Sequence, residues 1–202
     1  MVYMTSSSPK IPVKTRTKIL DVSAALFSKH GYTGTALRDI AKALNMKAGS
    51  LYYHFDSKEQ LILEVLKIGI ENIIHTVITE VESLPKESTS REVMVAAAKG
   101  HLKALHEKGD YTSTSILNYG QLPDSVQEVG RITREQYEDM WRKWLKNAQN
   151  KGDIRSDVNL TILRLSILGA LNRSLTWYKK GDLSIEDIAS IQIGLFWDGI
   201  DT

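Results

Sequence analysis

The chain has 202 residues, 42% of them apolar, with no cysteine. That length suits one large or two small domains with a core of their own, and the lack of thiols excludes disulfides and thiolate metal sites, which suits a reducing cytoplasm. Residues 1–60 carry nine Lys and Arg against four Asp and Glu, and the remainder 17 against 20, so a basic third sits on a slightly acidic body, the footprint of a nucleic-acid module on a separate scaffold.

Residues 1–11 read as a flexible arm. Lys10, Lys14, Arg16 and Lys18 precede or open the first helix, as candidate phosphate contacts or as a solvated basic start. Ile19, Val22, Ser23, Leu26 and Phe27 form one stripe, and Gly31 stops the helix. The stretch TALRDIAKALNMKAGSLYYHFDSK then reads as two short helices joined by a tight turn. Leu37, Ile40, Ala41 and Leu44 recur at helical spacing, with Thr35 placed to cap them. Asn45 breaks the pattern, and Asn tolerates the left-handed backbone of a sharp turn. The second helix, from about Ala48 to Phe55, buries Leu51 and Phe55. It leaves Lys47, Ser50, Tyr52, Tyr53 and His54 outward. That is the layout of a helix-turn-helix, whose second helix enters the DNA major groove.

Ser57 and Gln60 make a capping box opening a long helix with Leu66, Ile70, Ile73, Ile74, Val77, Ile78 and Val81 on one face. It ends before the loop at Pro85. Thr89 and Glu92 cap a helix to about Lys108, closed by Gly109. A short segment from Tyr111 to Tyr119 follows. Asp124 and Gln127 are placed to cap the next helix, which presents Tyr137, Met140, Trp141, Trp144, Leu145 and Ala148 and ends at Gly152. Thr161 to Tyr178 is apolar on nearly all sides and is expected to be the most buried helix. Ser184 and Asp187 cap the last, which runs to about Gly199. No stretch shows the two-residue alternation of a strand, so the fold class is all-α with about nine helices. No run reaches the length of a membrane span, and the first residues lack the apolar core of a secretory signal.

The run DIAKALNMKAGSLYYHFDSKEQL, with FSKHGYTGTALRDIA upstream, resembles the DNA-binding domain of the TetR family of transcriptional regulators. The aromatic LYYHF and the following SKEQL fall in the family's order. Two positions depart from it. Asn45 stands where a turn Gly is usual, and Lys47 where a Ser or Thr usually caps the recognition helix. A Lys there faces the positive end of the helix dipole, which costs a few tenths to about 1 kcal/mol, and a bound phosphate would reverse the sign. The plain alternative is a solvated surface lysine. The resemblance implies a three-helix DNA-binding domain over residues 12–57 and a helical ligand-binding and dimerisation domain over 58–202. It implies DNA contacts from Thr35, Arg38, Lys47, Ala48, Gly49, Ser50, Tyr52, Tyr53, His54 and Lys58. The last two long helices are expected to pair with a second copy through Leu165, Leu168, Leu171, Leu175, Ile188, Ile191 and Leu195, or to be plain core.

The segment GALNRSLTWYKKGDLSIEDIA is similar to the C-terminal region of TetR members that sense acyl-CoA thioesters. It implies an apolar effector of that class, with Asn118, Tyr119, Tyr137, Trp141, Asn172 and Trp177 as candidate lining and Arg131, Arg134, Arg142 and Arg173 as candidate phosphate partners. Asn172 is a polar residue in an apolar helix and must find a partner if buried. Enzymatic readings lack support: there is no G-x-S-x-G elbow, P-loop or dinucleotide glycine pattern. The five His residues form no metal pattern, and His101 and His106 are spaced wrongly for one helical face. The expectation is therefore a cytoplasmic, homodimeric, ligand-released repressor on near-palindromic operator DNA, without cofactor or metal. A constitutive or architectural DNA-binding protein and a helical interaction protein are the alternatives.

Overall fold

The computed structural model describes residues 13–200 except Lys108 and Asp182, so the arm at 1–11 and the Lys10 contact lie outside the described residues. Nine α-helices and one 3₁₀ turn make up the described chain, with no strand among these residues. The helices are α1 (Val13–His30), α2 (Leu37–Ala43), α3 (Ala48–Leu51), α4 (Lys58–Glu82), α5 (Ser90–Glu107), α6 (Asp110–Leu117), α7 (Asp124–Lys151), α8 (Leu160–Trp177) and α9 (Ile185–Trp197), with the 3₁₀ turn at Tyr119–Gln121 before α7.

Local chemistry sets most of the boundaries. The Ser57 hydroxyl accepts from the Gln60 N–H at 3.1 Å and opens α4. Thr89 and Glu92 satisfy each other's backbone at the head of α5, and Ser184 and Asp187 do so at α9. Gly152 takes the left-handed conformation that ends α7 (φ 86°), and Asn45 takes it in the turn between α2 and α3 (φ 53°). The expected cap of α7 is not made. Pro123 holds the cap position, and the Gln127 amide instead donates to the Leu122 carbonyl at 2.8 Å.

Two apolar cores form. The first gathers Ile19, Phe27, Ile40, Leu51 and Phe55 with Leu61, Ile62, Val65 and Leu66 from α4, Leu122 just before α7 and Val126 from its first turn. The second gathers Ile70, Ile73, Val77, Leu102, Tyr137, Trp141, Leu145, Leu171 and Ile193. Helix α4 therefore runs through both. Helix α6 is laced to α1 by Thr114 to the Ala24 carbonyl (3.1 Å), Asn118 to the Phe27 carbonyl (3.2 Å) and Tyr111 to Asp21 (2.8 Å). Gly69 lets α4 approach the backbone of α6: a Cβ there would collide with the Tyr111 carbonyl and the Ser115 hydroxyl. Helix α8 is not the most buried helix. Its inner face holds Leu163, Ile167 and Leu171, but Ile162, Leu165 and Trp177 stay exposed because no element among the described residues covers that side.

Candidate DNA-binding surface and effector cavity

The recognition segment is shorter than its sequence suggests. Only Ala48–Leu51 is helical, and Tyr52 to His54 continue as a helical turn. Leu51 and Phe55 plug it into the first core, at 1% and 2% exposed. Tyr53 stands 82% exposed and Tyr52 56%, an unusual price in water for two large aromatic rings unless their polar tips serve a partner. Lys47 and Ala48 are exposed beside them, Ser50 is half-buried, and Gly49 faces open space. Arg38 projects from α2, 87% exposed at its side chain. His54 is half-buried, its Nδ1 enclosed without a partner.

Three basic or polar expectations need correction. Thr35 does not cap α2 and does not reach the surface. It is buried, and its hydroxyl donates towards the Gly31 carbonyl at 2.9 Å and the Leu26 carbonyl at 3.2 Å, near the end of α1. Ala36 holds the cap position, with its N–H on Asp39 at 3.1 Å. Arg16 is bound through both terminal nitrogens to Glu64 of α4, with its guanidinium 4.7 Å from the Phe55 ring centroid. Lys58 opens α4, but its ammonium lies 3.9 Å from the Tyr32 ring centroid. Burial pushes Lys58 below its usual value, and burial together with the hydrogen bond to Glu59 pushes Tyr32 up to about 12.

A cavity of about 670 Å³ opens between α4 and the first half of α7. Leu63, Leu66 and Ile70 form one wall, Val129, Ile132 and Arg134 the other, and Ser115 and Tyr119 the floor. A second cavity of about 190 Å³ adjoins it, lined by His101, Ile116, Tyr137, Glu138, Leu165, Leu168 and Asn172; Ile70 and Arg134 belong to both. In the smaller one His101 is fully enclosed. Its Nδ1 lies 2.6 Å from the Tyr137 hydroxyl and its Nε2 2.9 Å from Asn172 Oδ1. Because Oδ1 can only accept, Nε2 carries the proton and Tyr137 donates to Nδ1. Burial pushes His101 down to about 4.

The expected effector residues therefore separate. Tyr119 lines the larger cavity, and Tyr137 and Asn172 the smaller. Asn118 is a clamp between α6 and α1, Trp141 is solid core at 0% exposure, and Trp177 sits at the surface end of α8. The larger cavity lies along α4 and not beside Trp141, because Trp141, Tyr137 and Leu145 fill the second core themselves. Sequence reasoning missed His101, Glu138, Leu63, Val129 and Ile132. The signal for His101 and Glu138 is a polar side chain on the apolar face of its helix, the same signal that singled out Asn172.

A family model for the bacterial regulatory proteins of the tetR family matches residues 19–65, and one for tetracyclin repressor-like C-terminal domains matches residues 87–200. The chain belongs to the TetR family. The HTH-type transcriptional repressor KstR2 of Mycolicibacterium smegmatis is 27% identical over 202 residues, 98% of this chain and 96% of that one. Among solved TetR-type structures, AibR in complex with isovaleryl coenzyme A and operator DNA superposes with a TM-score of 0.78 at 24% identity, covering 89% of this chain and 96% of that one. The ketosteroid regulator KstR2 of Mycobacterium tuberculosis superposes with a TM-score of 0.77 at 21% identity, covering 98% and 97%.

Of the residues expected at a TetR dimer seam, Leu165, Ile191 and Leu195 are exposed, at 53%, 51% and 75%. Leu168, Leu171 and Ile188 are buried in the chain's own core, and Leu175 packs against it. The apolar surfaces of α8 and α9 each have two sides, and these four face inwards. The four arginines also separate. Arg131 is tied to Glu128 and Glu135, Arg142 to Asp139, and Arg173 is exposed on α8, whereas Arg134 is the one of the four that lines the two cavities described above. No helix among the described residues is long and apolar enough to cross a membrane, and no group of three or more His, Asp or Glu there could hold a metal ion.

Proposed function

We propose that this chain is a homodimeric transcriptional repressor that leaves a near-palindromic operator when a small apolar effector fills the cavity between α4 and α7. One observation carries the reading: both walls of that cavity are also parts of the DNA-binding core. Helix α4 supplies Leu63, Leu66 and Ile70 to the cavity and Leu61, Ile62 and Val65 to the core around Phe55. Helix α7 supplies Val129 and Ile132 to the cavity and Val126 to that same core. An occupant that parts the walls must move the elements on which the recognition segment rests.

The energetics bound the mechanism. A dimer reading two major grooves on one DNA face needs its recognition helices about 34–36 Å apart, or a multiple. An effector shifts binding only by its differential affinity for the two spacings. A hundredfold loss of operator affinity requires roughly 2.7 kcal/mol of coupling, and operator DNA must weaken effector binding equally. An acyl-CoA thioester is the effector class we favour, supported by the C-terminal resemblance and by isovaleryl coenzyme A in AibR. Exposed Leu165, Ile191 and Leu195 support pairing through α8 and α9.

The test is selection of bound duplexes from a random pool, followed by anisotropy titration of the selected site with acyl-CoAs of graded chain length. Enrichment of an inverted repeat and its release by one chain-length window are expected. A pool that yields no preferred sequence would refute the repressor reading.

A further inference from the structure

Arg134, half-buried, is the polar residue shared by the two cavities, and its charge is only partly matched. Its Nε lies 3.6 Å from Glu138 Oε1, but Glu138 Oε2 already accepts from Arg164 Nη1 at 2.6 Å. One carboxylate thus serves two guanidinium groups, and Arg164 is nearly closed off, its side chain 8% exposed. The Arg134 guanidinium is packed at 4.7 Å over the Tyr119 ring, and its Nη1 is enclosed without a hydrogen-bond partner. Other charges on the larger cavity's wall are paired: Glu64 with Arg16, and Glu71 with Lys67 at 3.8 Å. A buried, charged N–H without an acceptor is costly in a native fold and marks a place where an acceptor belongs.

We propose that Arg134 is the polar anchor of the effector, donating from its guanidinium to an acyl oxygen while the alkyl part of the ligand lies along Leu63, Leu66, Ile70, Val129 and Ile132. The inference rests on the effector-gated reading and adds the chemistry of the ligand's head. A planar guanidinium held over an aromatic ring presents its N–H groups in a fork, which suits the two oxygens of a carboxylate or the single carbonyl oxygen of a thioester. The cavity, about 670 Å³, is of the size that encloses a drug-sized molecule. A free acid and the acyl part of a CoA thioester share this chemistry, and the probes separate them.

The experiment is calorimetry of the full chain against decanoate, decanoyl-CoA, 1-decanol and decyltrimethylammonium, with operator release followed in parallel. At least one acyl probe is expected to bind about 10- to 100-fold tighter than the alcohol, the scale of a hydrogen bond to a charged group. Whichever acyl probe is favoured identifies the source. Arg134→Met is expected to abolish that preference and leave the alcohol's affinity within about threefold, while Arg134→Lys restores part of it. Helicity and operator binding of the variants show that they fold. Equal binding of alcohol and acyl probes, acyl binding unchanged in Arg134→Met, or no acyl binding at all would each overturn the anchor. Release of DNA by the alcohol or the ammonium probe alone would leave gating intact and remove the anchor. Binding of any probe without release would fault gating instead.

Discussion

Acid should loosen this protein through one residue, His101. Enclosure in the second core holds its imidazole neutral, lowering it from 6.5 to about 4. Its Asn172 hydrogen bond pulls the other way, and the charges of His106 and Arg134 add to the lowering. The unfolded chain takes up this proton near pH 6.5 and the folded chain only near pH 4, so between those values the unfolded state binds more protons. Stability is then fully present above pH 6.5 and is lost as pH falls towards 4. The shift corresponds to about 2 kcal/mol lost at pH 5 and about 3 kcal/mol at pH 4. Carboxylates whose values are lowered, such as Glu59 and Glu80, act below their ordinary value of 4.5, so pH 5 isolates the histidines. His106 is also lowered by burial and contributes in the same window. The assay is urea unfolding followed by helicity at pH 7.5 and 5, at fixed protein concentration, for the wild type and His101→Gln. The glutamine can bridge Tyr137 and Asn172 without titrating. The wild type should lose about 2 kcal/mol more than the variant between the two pH values. Equal losses would refute the reasoning.

Four further outcomes concern three surface residues and one core residue. Tyr53→Ala should weaken operator binding by ~1–3 kcal/mol in a gel-shift titration, the scale of one good contact, with helicity unchanged; unaltered affinity would remove Tyr53 from the interface. Lys47→Ala should flatten the slope of log affinity against log salt by about one unit, as loss of a single phosphate contact does, and a constant slope would make it a solvated surface residue. Leu195→Glu should give monomers by sedimentation with little loss of chain stability, since that side chain is 75% exposed. Leu171→Ala, at 0% exposure, should instead cost ~2–5 kcal/mol of stability.

What the sequence announced was whatever depends on a few neighbouring residues. The boxes Thr89–Glu92 and Ser184–Asp187 could be read directly, because a cap is satisfied within four positions. So could Asn45 and Gly152, where the backbone itself demands the residue type. The recognition segment was legible because buried Leu51 and Phe55 alternate with exposed Tyr52 and Tyr53. What stayed hidden depends on how distant helices meet. Helix α8 is apolar on both sides, and periodicity gives no reason to send Leu171 inwards and Leu165 outwards. Thr35 could serve equally as a cap or as a buried hydroxyl, and only the nearby carbonyls of Leu26 and Gly31 decide it. The link from His101 to Tyr137 and Asn172 spans 36 and 71 positions, beyond any local pattern.

The sharing of α4 and α7 between two cores bears on how such a protein can be divided. Cutting after residue 57 would strip Leu61, Ile62, Val65, Leu122 and Val126 from around Phe55 and Phe27, leaving three short helices with a hollow centre. The DNA-reading part is therefore not a detachable head. A chimera that trades operator specificity between two relatives by swapping only the first 57 residues inherits mismatched packing at every one of those side chains. The exchange that keeps the interior whole carries the first third of α4 and the corner at Leu122–Val126 with it, and so takes part of the effector cavity's wall along.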